Sequence, residues 1–163
     1  IIFYIINIKM PYLFSYGSNN ISQLTERLNR KIYTTDIIPA YLDNYIRIFC
    51  FHSTKWNGSV ASIYPKKNKL VFGSVISLTE KELRKLDKFE TNYKRKIIKV
   101  YDNHFNKMTV QTYICNDTKF VKYPSKEYLD QIKQNIYESW KIKTKYIPIY
   151  IKTKLGIELY KNE

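Results

Sequence analysis

The N-terminal part of the chain contains the first candidate for a binding site. Tyr12–Ser15 is a short apolar run that predicts a strand, and the turn-forming residues Gly17-Ser18-Asn19-Asn20 follow it. Ile21, Leu24 and Leu28 then lie at helical spacing. In a strand, turn and helix of this kind, the backbone N–H groups that enter the helix can point at an anion such as a carboxylate. An ordinary capped turn has the same residues, because Ser and Asn are preferred N-caps.

A carboxylate in the middle of the chain is the second candidate. Thr79 and Glu82 form a capping-box pattern, which predicts a helix that ends at about Phe89. Glu90 then lies at the C-terminal end of this helix or just past it. A negative charge there is unfavourable to the helix dipole, which is one reason to expect a function for Glu90. A solvated charge within a Lys-rich stretch is the simpler interpretation.

The elements that position these residues are mostly strands. The predicted strands are Ala40–Phe51, bent or bulged at Asp43-Asn44, then Val60–Tyr64 and Leu70–Ser77, joined by a hairpin over residues 65–69, and finally Tyr93–Tyr101 and Met108–Cys115, joined by a second hairpin. Ser125 predicts the start of a last helix. The segment Ile147–Ile151 predicts an edge strand or an extended arm, because Pro148 makes a central strand unfavourable. This pattern indicates an α+β fold with a mostly antiparallel sheet that could close into a barrel.

Composition limits the class of protein. With 163 residues, 44% of them hydrophobic, and no repeat or linker, the chain fits one compact domain and not a disordered protein. The net charge of +14 is typical of proteins that bind nucleic acid or an anionic surface. However, most of the basic residues are lysines, as an AT-rich gene would supply them, and no helix-turn-helix, RNA-recognition motif or zinc module accompanies them.

The termini, cysteines and histidines add smaller constraints. The apolar stretch over residues 1–9 is too short to span a bilayer and has no secretion signal, so we expect a soluble, cytoplasmic protein. We expect residues 1–9 to be an extension and residues 10–163 to form a single domain. Cys50 and Cys115 have apolar neighbours, which favours buried, reduced thiols. The two histidines lie in no ligand-like spacing, so we expect no metal site.

A series of short motifs runs in order through most of the chain. Tyr16-Gly17-Ser18-Asn19 resembles the YGSN signature of the γ-glutamylcyclotransferase-like family, which includes AIG2-like and γ-glutamylamine cyclotransferase branches. Further segments between residues 11 and 140 resemble family motifs: Ala40–Tyr45 (A-x-L-x-G-Y), Trp56–Ile63 (W-x-G-G-x-A-x-I), Val71–Val75 (V-x-G-x-V), Leu86–Glu90 (L-D-x-x-E), Tyr93 with Arg95 (Y-x-R), and Pro124–Leu129 (P-S-x-x-Y-L).

The resemblance implies a small mixed or antiparallel β-barrel flanked by α-helices and an enzyme that releases 5-oxoproline from a γ-glutamyl amino acid, peptide or amine. Glu90 corresponds to the family's catalytic glutamate, a general acid/base that moves a proton from the attacking α-amine to the departing amine. The implied substrate-binding residues are Tyr16, Gly17, Ser18, Asn19, Tyr93 and Tyr128, with the Gly17–Asn19 amides on the α-carboxylate. No cofactor or metal is implied, because the substrate supplies the nucleophile.

The expected partner is therefore a small γ-glutamyl substrate, with no specific nucleic acid and no membrane, and the protein is expected to be a monomer or homodimer. The sequence departs from the family pattern in three places, because Asn44, Ser59 and Thr91 stand where glycines are usual. Of these, Ser59 adds a side chain where the backbone can approach closely, so it is the departure expected to bear on pocket shape and leaving group. Arg95 could orient Glu90, bind substrate or form a structural ion pair. The late motif favours γ-glutamyl amino acids or peptides, whereas the E-x-x-Y-x-R spacing favours γ-glutamylamines. Two alternatives stay open: a basic nucleic-acid or anionic-surface binding protein, and a non-catalytic small-molecule-binding member of the same fold.

Overall fold

Five strands close into a barrel in the computed structural model, which describes residues 11–161. The strands are β1 (Tyr12–Ser15), β2 (Ile37–Ser53), β3 (Gly58–Ser77), β4 (Tyr93–Asp102) and β5 (Lys107–Cys115), in the order β1-β3-β2-β4-β5. Neighbours are antiparallel except β1 and β5, which close the barrel in parallel. The expectation of a small mixed β-barrel flanked by helices is confirmed. The predicted extension over residues 1–9 lies outside the described residues.

Three helices flank the barrel: α1 (Ile21–Leu28), α2 (Glu80–Asp87) and α3 (Lys126–Trp140). Each begins where a side chain caps it, as the sequence predicts. Asn20 accepts from the backbone N–H of Gln23 at 3.0 Å, Thr79 and Glu82 form a reciprocal capping box, and Ser125 accepts from Tyr128 N–H. Because these caps satisfy amides that would otherwise be orphaned, they fix where each helix starts.

The hydrophobic core has two parts. Inside the barrel, Phe14, Phe49 and Val75 pack with Ile132 of α3. Outside it, α1 and α2 bury their leucines against β1 and β3, and this second cluster consists of Leu13, Leu24, Leu28, Ile32, Ile76, Leu78, Leu83, Leu86 and Tyr113. Both helices next to the Gly17–Asn19 turn and Glu90 are therefore anchored to the same side of the barrel.

The predicted hairpin over residues 65–69 is wrong. Tyr64 pairs with Ile46 and Leu70 pairs with Asp43, so both flanking segments pair with β2 and belong to the single strand β3. Pro65 still pairs with Tyr45, and residues 66–69 form a bulge opposite Asn44. Asn68 and Asn44 have positive φ, at 62° and 59°, and residues that tolerate this conformation are common in both bulges and tight turns, so the sequences of the two look alike.

The bulge explains one departure from the family pattern and yields a prediction. The backbone of Asn44, at a position where glycine is usual in the family, has the left-handed conformation. The Oδ1 of Asn44 accepts a hydrogen bond from Asn68 N–H at 3.1 Å. Because a side chain with a Cβ is strained there and alanine cannot make this hydrogen bond, Asn44→Ala should cost about 1–2 kcal/mol of unfolding free energy. Asn44→Gly, the matched control, should be near neutral. Urea denaturation measures both, and equal losses for the two variants would contradict this account.

The C-terminal segment completes the described chain. A two-stranded sheet, β6 (Tyr150–Thr153) and β7 (Gly156–Leu159), follows the buried Ile147 and Ile149. The predicted edge element therefore begins with an extended stretch that packs on the barrel core. Cys50 and Cys115 are free and buried, as expected. Among residues 11–161, no helix is long and apolar enough to cross a membrane.

Candidate functional site

Glu90 lies in a tight turn between α2 and β4. Its N–H donates to the carbonyl of Asp87 at 3.2 Å, and its own carbonyl accepts from Tyr93 N–H at 3.0 Å. Glu90 is therefore just past the C-terminal end of α2, as predicted, and its backbone is fixed from both sides.

The Glu90 carboxylate is held through one oxygen. Oε1 accepts from Arg27 Nη1 at 2.7 Å and from Asn19 Nδ2 at 3.0 Å, while Arg27 Nη1 also donates to Asn19 Oδ1 at 3.0 Å. The side chain of Glu90 is only 13% exposed. Within residues 11–161, Oε2 has no hydrogen-bond partner, so this second oxygen is free to contact a ligand.

The Gly17–Asn19 turn has the form that the sequence predicts. Asn20 caps α1, and the N–H groups of Gly17, Ser18 and Asn19 donate to no other residue in the described part of the chain. Gly17 leaves room for the Tyr128 hydroxyl: a Cβ at this position would lie 3.3 Å from it, so that Tyr128 would have to shift slightly. These free amides, next to a helix N-terminus, form a concave surface with positive polarity.

All of the site residues expected from the sequence line one narrow pocket. This inner pocket has a volume of about 40 Å³ and is bordered by Phe14, Ser15, Tyr16, Gly17, Ser18, Asn19, Ala61, Glu90, Tyr93, Thr112, Tyr113 and Tyr128. Glu90 therefore faces a pocket whose wall is the Gly17–Asn19 turn. Asn19 also contributes its side chain, which contacts Glu90 directly.

Two tyrosine hydroxyls in the pocket form hydrogen bonds with the backbone of the same residue, Ala61. Tyr93 Oη donates to the carbonyl of Ala61 at 2.8 Å, whereas Tyr128 Oη accepts from the N–H of Ala61 at 2.8 Å. The hydroxyl proton of Tyr93 is therefore already used in a hydrogen bond, whereas the hydroxyl of Tyr128 can still donate its proton to a ligand. Burial raises the pKa of both phenols well above the ordinary value, so both stay protonated at neutral pH.

Arg95 is not part of the pocket. It forms a bidentate ion pair with Asp87, at 2.7 and 3.0 Å, and donates to Gln111 at 2.7 Å. Of the roles that the sequence left open, the structure supports the structural ion pair. Since Asp87 is the last residue of α2, the pair ties the end of that helix to β4, close to Glu90.

Sequence reasoning missed two arginines. Arg27, on the buried face of α1, is the partner of Glu90, and its Nε is buried with no hydrogen-bond partner. Arg47 on β2 donates to the carbonyl of Tyr16 at 3.0 Å and to that of Phe72 at 3.0 Å, and burial lowers its pKa to about 10. One signal in the sequence was available: Arg27 shares a helical face with Leu24 and Leu28, where a charge needs a partner.

The other departures from the family pattern lie outside the inner pocket. Ser59 is fully buried, and its Oγ accepts from the N–H of Lys122 at 3.2 Å. Its side chain thus braces a neighbouring loop and does not border the pocket. Thr91 is exposed and borders a second, larger cavity next to the inner pocket. Among the described residues, no group of three or more His, Cys, Asp or Glu side chains could hold a metal ion.

Comparisons with solved structures establish the fold. A γ-glutamyl cyclotransferase superposes with a TM-score of 0.68 at 22% identity, covering 79% of each chain. An uncharacterized human protein superposes with a TM-score of 0.66 at 23% identity, covering 78% of this chain and 79% of the other. A glutathione-specific γ-glutamyl cyclotransferase from yeast superposes with a TM-score of 0.56 at 12% identity, covering 77% of this chain and 86% of the other. Among curated proteins, none matches the sequence significantly.

The sequence itself identifies the family. The family model described as "Gamma-glutamyl cyclotransferase, AIG2-like" matches residues 13–141, which include both the Gly17–Asn19 turn and Glu90. Its known members include cyclotransferases. The chain therefore belongs to the γ-glutamyl cyclotransferase, AIG2-like family.

Proposed function

We propose that this protein is a γ-glutamylcyclotransferase that releases 5-oxoproline from a γ-glutamyl amino acid, peptide or amine. One observation carries the proposal: a largely buried carboxylate, Glu90, faces a narrow pocket that is also lined by the Gly17–Asn19 turn, whose backbone amides have no partner among residues 11–161. A carboxylate base next to an anion-binding turn fits a zwitterionic amino-acid head group, which carries an amine and a carboxylate on one carbon.

The Gly17–Asn19 turn would bind the α-carboxylate of the γ-glutamyl group. Its free N–H groups can donate to an anion, and the positive end of the α1 dipole adds to the attraction. Arg47 donates to the carbonyl of Tyr16, next to the turn, and adds a partly buried positive charge. The amides are therefore fixed before substrate binds, which limits the entropy lost on binding.

Glu90 would transfer the proton. The free α-amine attacks the γ-carbonyl carbon, so that a C–N bond forms and closes a five-membered ring. Glu90 accepts the proton that this nitrogen loses and gives it to the departing nitrogen as the original amide bond breaks. The products are 5-oxoproline and the released amine, and Glu90 returns to its ionised form. Oε2 is the oxygen suited to this role, because Oε1 is already bound by Arg27 and Asn19.

Tyr128 would stabilise the negative charge that develops on the γ-carbonyl oxygen. Its hydroxyl accepts a hydrogen bond from Ala61 and keeps its own proton free to donate. A donor already fixed in the pocket stabilises such an oxyanion without reorganisation. Tyr93 would form a wall of the pocket, since its proton is bound to the carbonyl of Ala61.

The two tyrosines give a paired prediction. Tyr128→Phe should lower kcat by about 10²-fold, because one oxyanion donor is lost. Tyr93→Phe should lower it less than about tenfold, although it also removes one hydrogen bond to Ala61 and so serves as the matched control for stability. Steady-state kinetics and thermal unfolding of both variants check this. Equal losses of kcat would contradict the assignment of the oxyanion donor to Tyr128.

The proposed activity is tested directly by product detection. The protein is incubated with a γ-glutamyl amino acid, a γ-glutamyl peptide and a γ-glutamylamine, and 5-oxoproline is measured by mass spectrometry. We expect 5-oxoproline from at least one of them. Substrate binding without product would favour the non-catalytic alternative, and a complete absence of binding and product would overturn the proposal.

A further inference from the structure

A second, larger cavity lies on the outer side of Glu90. It has a volume of about 330 Å³ and shares four lining residues with the inner pocket: Ser18, Glu90, Tyr93 and Tyr128. The inner pocket, at about 40 Å³, is too narrow for a whole dipeptide. A γ-glutamyl substrate whose α-carboxylate is bound at the Gly17–Asn19 turn must therefore extend beyond this pocket. The outer cavity is its main continuation, because the open groove beside Arg95 shares only Glu90 and Tyr93 with the inner pocket.

The charges in the outer cavity are mostly positive. Its lining includes Arg27 and Lys55 against the single carboxylate of Glu90. Arg27 is already paired with Glu90, whereas Lys55 has no ion pair within residues 11–161. Partial desolvation and the nearby charge of Arg27 lower the pKa of Lys55, and the carboxylates of Glu26 and Glu90 oppose this shift only in part. The cavity thus has one cation for which an anionic ligand group would be the natural partner.

The walls of the outer cavity are aromatic. Phe51, Trp56 and Phe89 all line it. The Nζ of Lys55 lies 5.1 Å from the centre of the Trp56 ring, and the guanidinium of Arg27 lies 5.1 Å from that of Phe89. Each cation is thus placed beside an aromatic surface, so a ligand that contacts the charge also meets an apolar wall.

The backbone at Phe51 is strained, in a way that supports a binding role. Phe51 has a φ of 56°, at a point where the pairing of β2 with β3 shifts between Cys50 and His52. A bulky residue with positive φ is uncommon, and bulges often re-aim a side chain beside an active site. Its N–H is held by the carbonyl of Lys119 at 2.8 Å, which keeps this conformation in place.

We infer that the outer cavity binds the leaving-group half of the substrate, and that this half is an amino-acid residue with a free carboxylate and an aromatic or large apolar side chain. Lys55 pairs with the carboxylate, and Phe51, Trp56 and Phe89 contact the side chain. The inference rests on the proposed cyclotransferase function. It selects γ-glutamyl amino acids over γ-glutamylamines, the choice that the sequence motifs leave in conflict.

The test compares substrates that differ in one group. The probes are γ-glutamyl-phenylalanine, γ-glutamyl-phenethylamine, which lacks only the carboxylate, and γ-glutamyl-alanine, which lacks the ring. We expect kcat/KM to be about tenfold higher for γ-glutamyl-phenylalanine than for either of the others, because a charge-assisted contact or a buried ring is worth about one tenfold step. Lys55→Met should remove the preference over γ-glutamyl-phenethylamine, so that the two compounds react with similar kcat/KM. Lys66→Met, the matched control, removes the same charge from an exposed part of β3 and should leave kcat/KM unchanged for both compounds.

Binding is measured separately by calorimetry, so that failure of this inference differs from failure of the proposed function. Product from all three probes at equal kcat/KM, or a preference over γ-glutamyl-phenethylamine that survives in Lys55→Met, would overturn the inference alone. Tighter, Lys55-dependent binding of γ-glutamyl-phenylalanine without any 5-oxoproline would support the cavity assignment and overturn the catalytic proposal. No binding of any probe would overturn both.

Discussion

Glu90→Gln should lower the rate of 5-oxoproline release by about 10³–10⁴-fold, at the upper end of what one general acid/base contributes. The amide of glutamine keeps the size of the side chain and cannot accept the proton of the attacking amine. KM should change much less than kcat, because substrate binding is assigned to the Gly17–Asn19 turn. The measurement is steady-state release of 5-oxoproline from γ-glutamyl-phenylalanine.

The control for this variant must account for Arg27, which loses a buried partner when Glu90 becomes neutral. Thermal unfolding of Glu90→Gln reports that cost, and calorimetric binding of γ-glutamyl-phenylalanine shows whether the pocket is still formed. Glu158→Gln makes the same change on an exposed strand and should keep full activity. Full activity in Glu90→Gln would refute the assignment of the general acid/base.

Arg27→Met should have the second-largest effect and should act on both stability and activity. Breaking a buried ion pair from one side leaves an uncompensated charge, which costs about 3 kcal/mol or more of unfolding free energy. The Glu90 side chain would also lose one of the two donors that orient Oε1, and so kcat should fall. Arg30→Met is the matched control, because the Arg30–Glu82 pair lies at the surface and its loss should cost less than about 1 kcal/mol.

A double-mutant cycle separates positioning from simple stabilisation. If Arg27 and Glu90 stabilise each other, Arg27→Met combined with Glu90→Gln should cost much less than the sum of the two single changes. Arg27→Lys keeps the charge, but its side chain is shorter and should not place a nitrogen where Arg27 Nη1 donates to both Asn19 and Glu90, so it should recover more stability than kcat. Equal recovery of stability and kcat in Arg27→Lys would show that Arg27 stabilises the fold and does not position the carboxylate.

The backbone plan of this protein could be predicted from local sequence. Asn20, Thr79 and Ser125 cap helices where their residue types predict it, because capping depends on side chains within three residues. The β4–β5 hairpin followed from two β-rich segments separated by a short turn. The 65–69 segment was misassigned because a hairpin and a bulge need the same turn-forming residues, and only the pairing partner separates them.

The sequence by itself therefore determined the order of the elements, the Gly17–Asn19 turn and the position of Glu90 just past α2. Only the tertiary structure decided which charges meet. Asn19 and Arg27 lie 71 and 63 residues from Glu90 along the chain, yet both bind its Oε1, while Arg95, five positions from Glu90 in the sequence, pairs with Asp87 instead. The reason is physical: local sequence fixes backbone conformation, but the partner of a charged side chain depends on how α1 and α2 pack against the closed barrel.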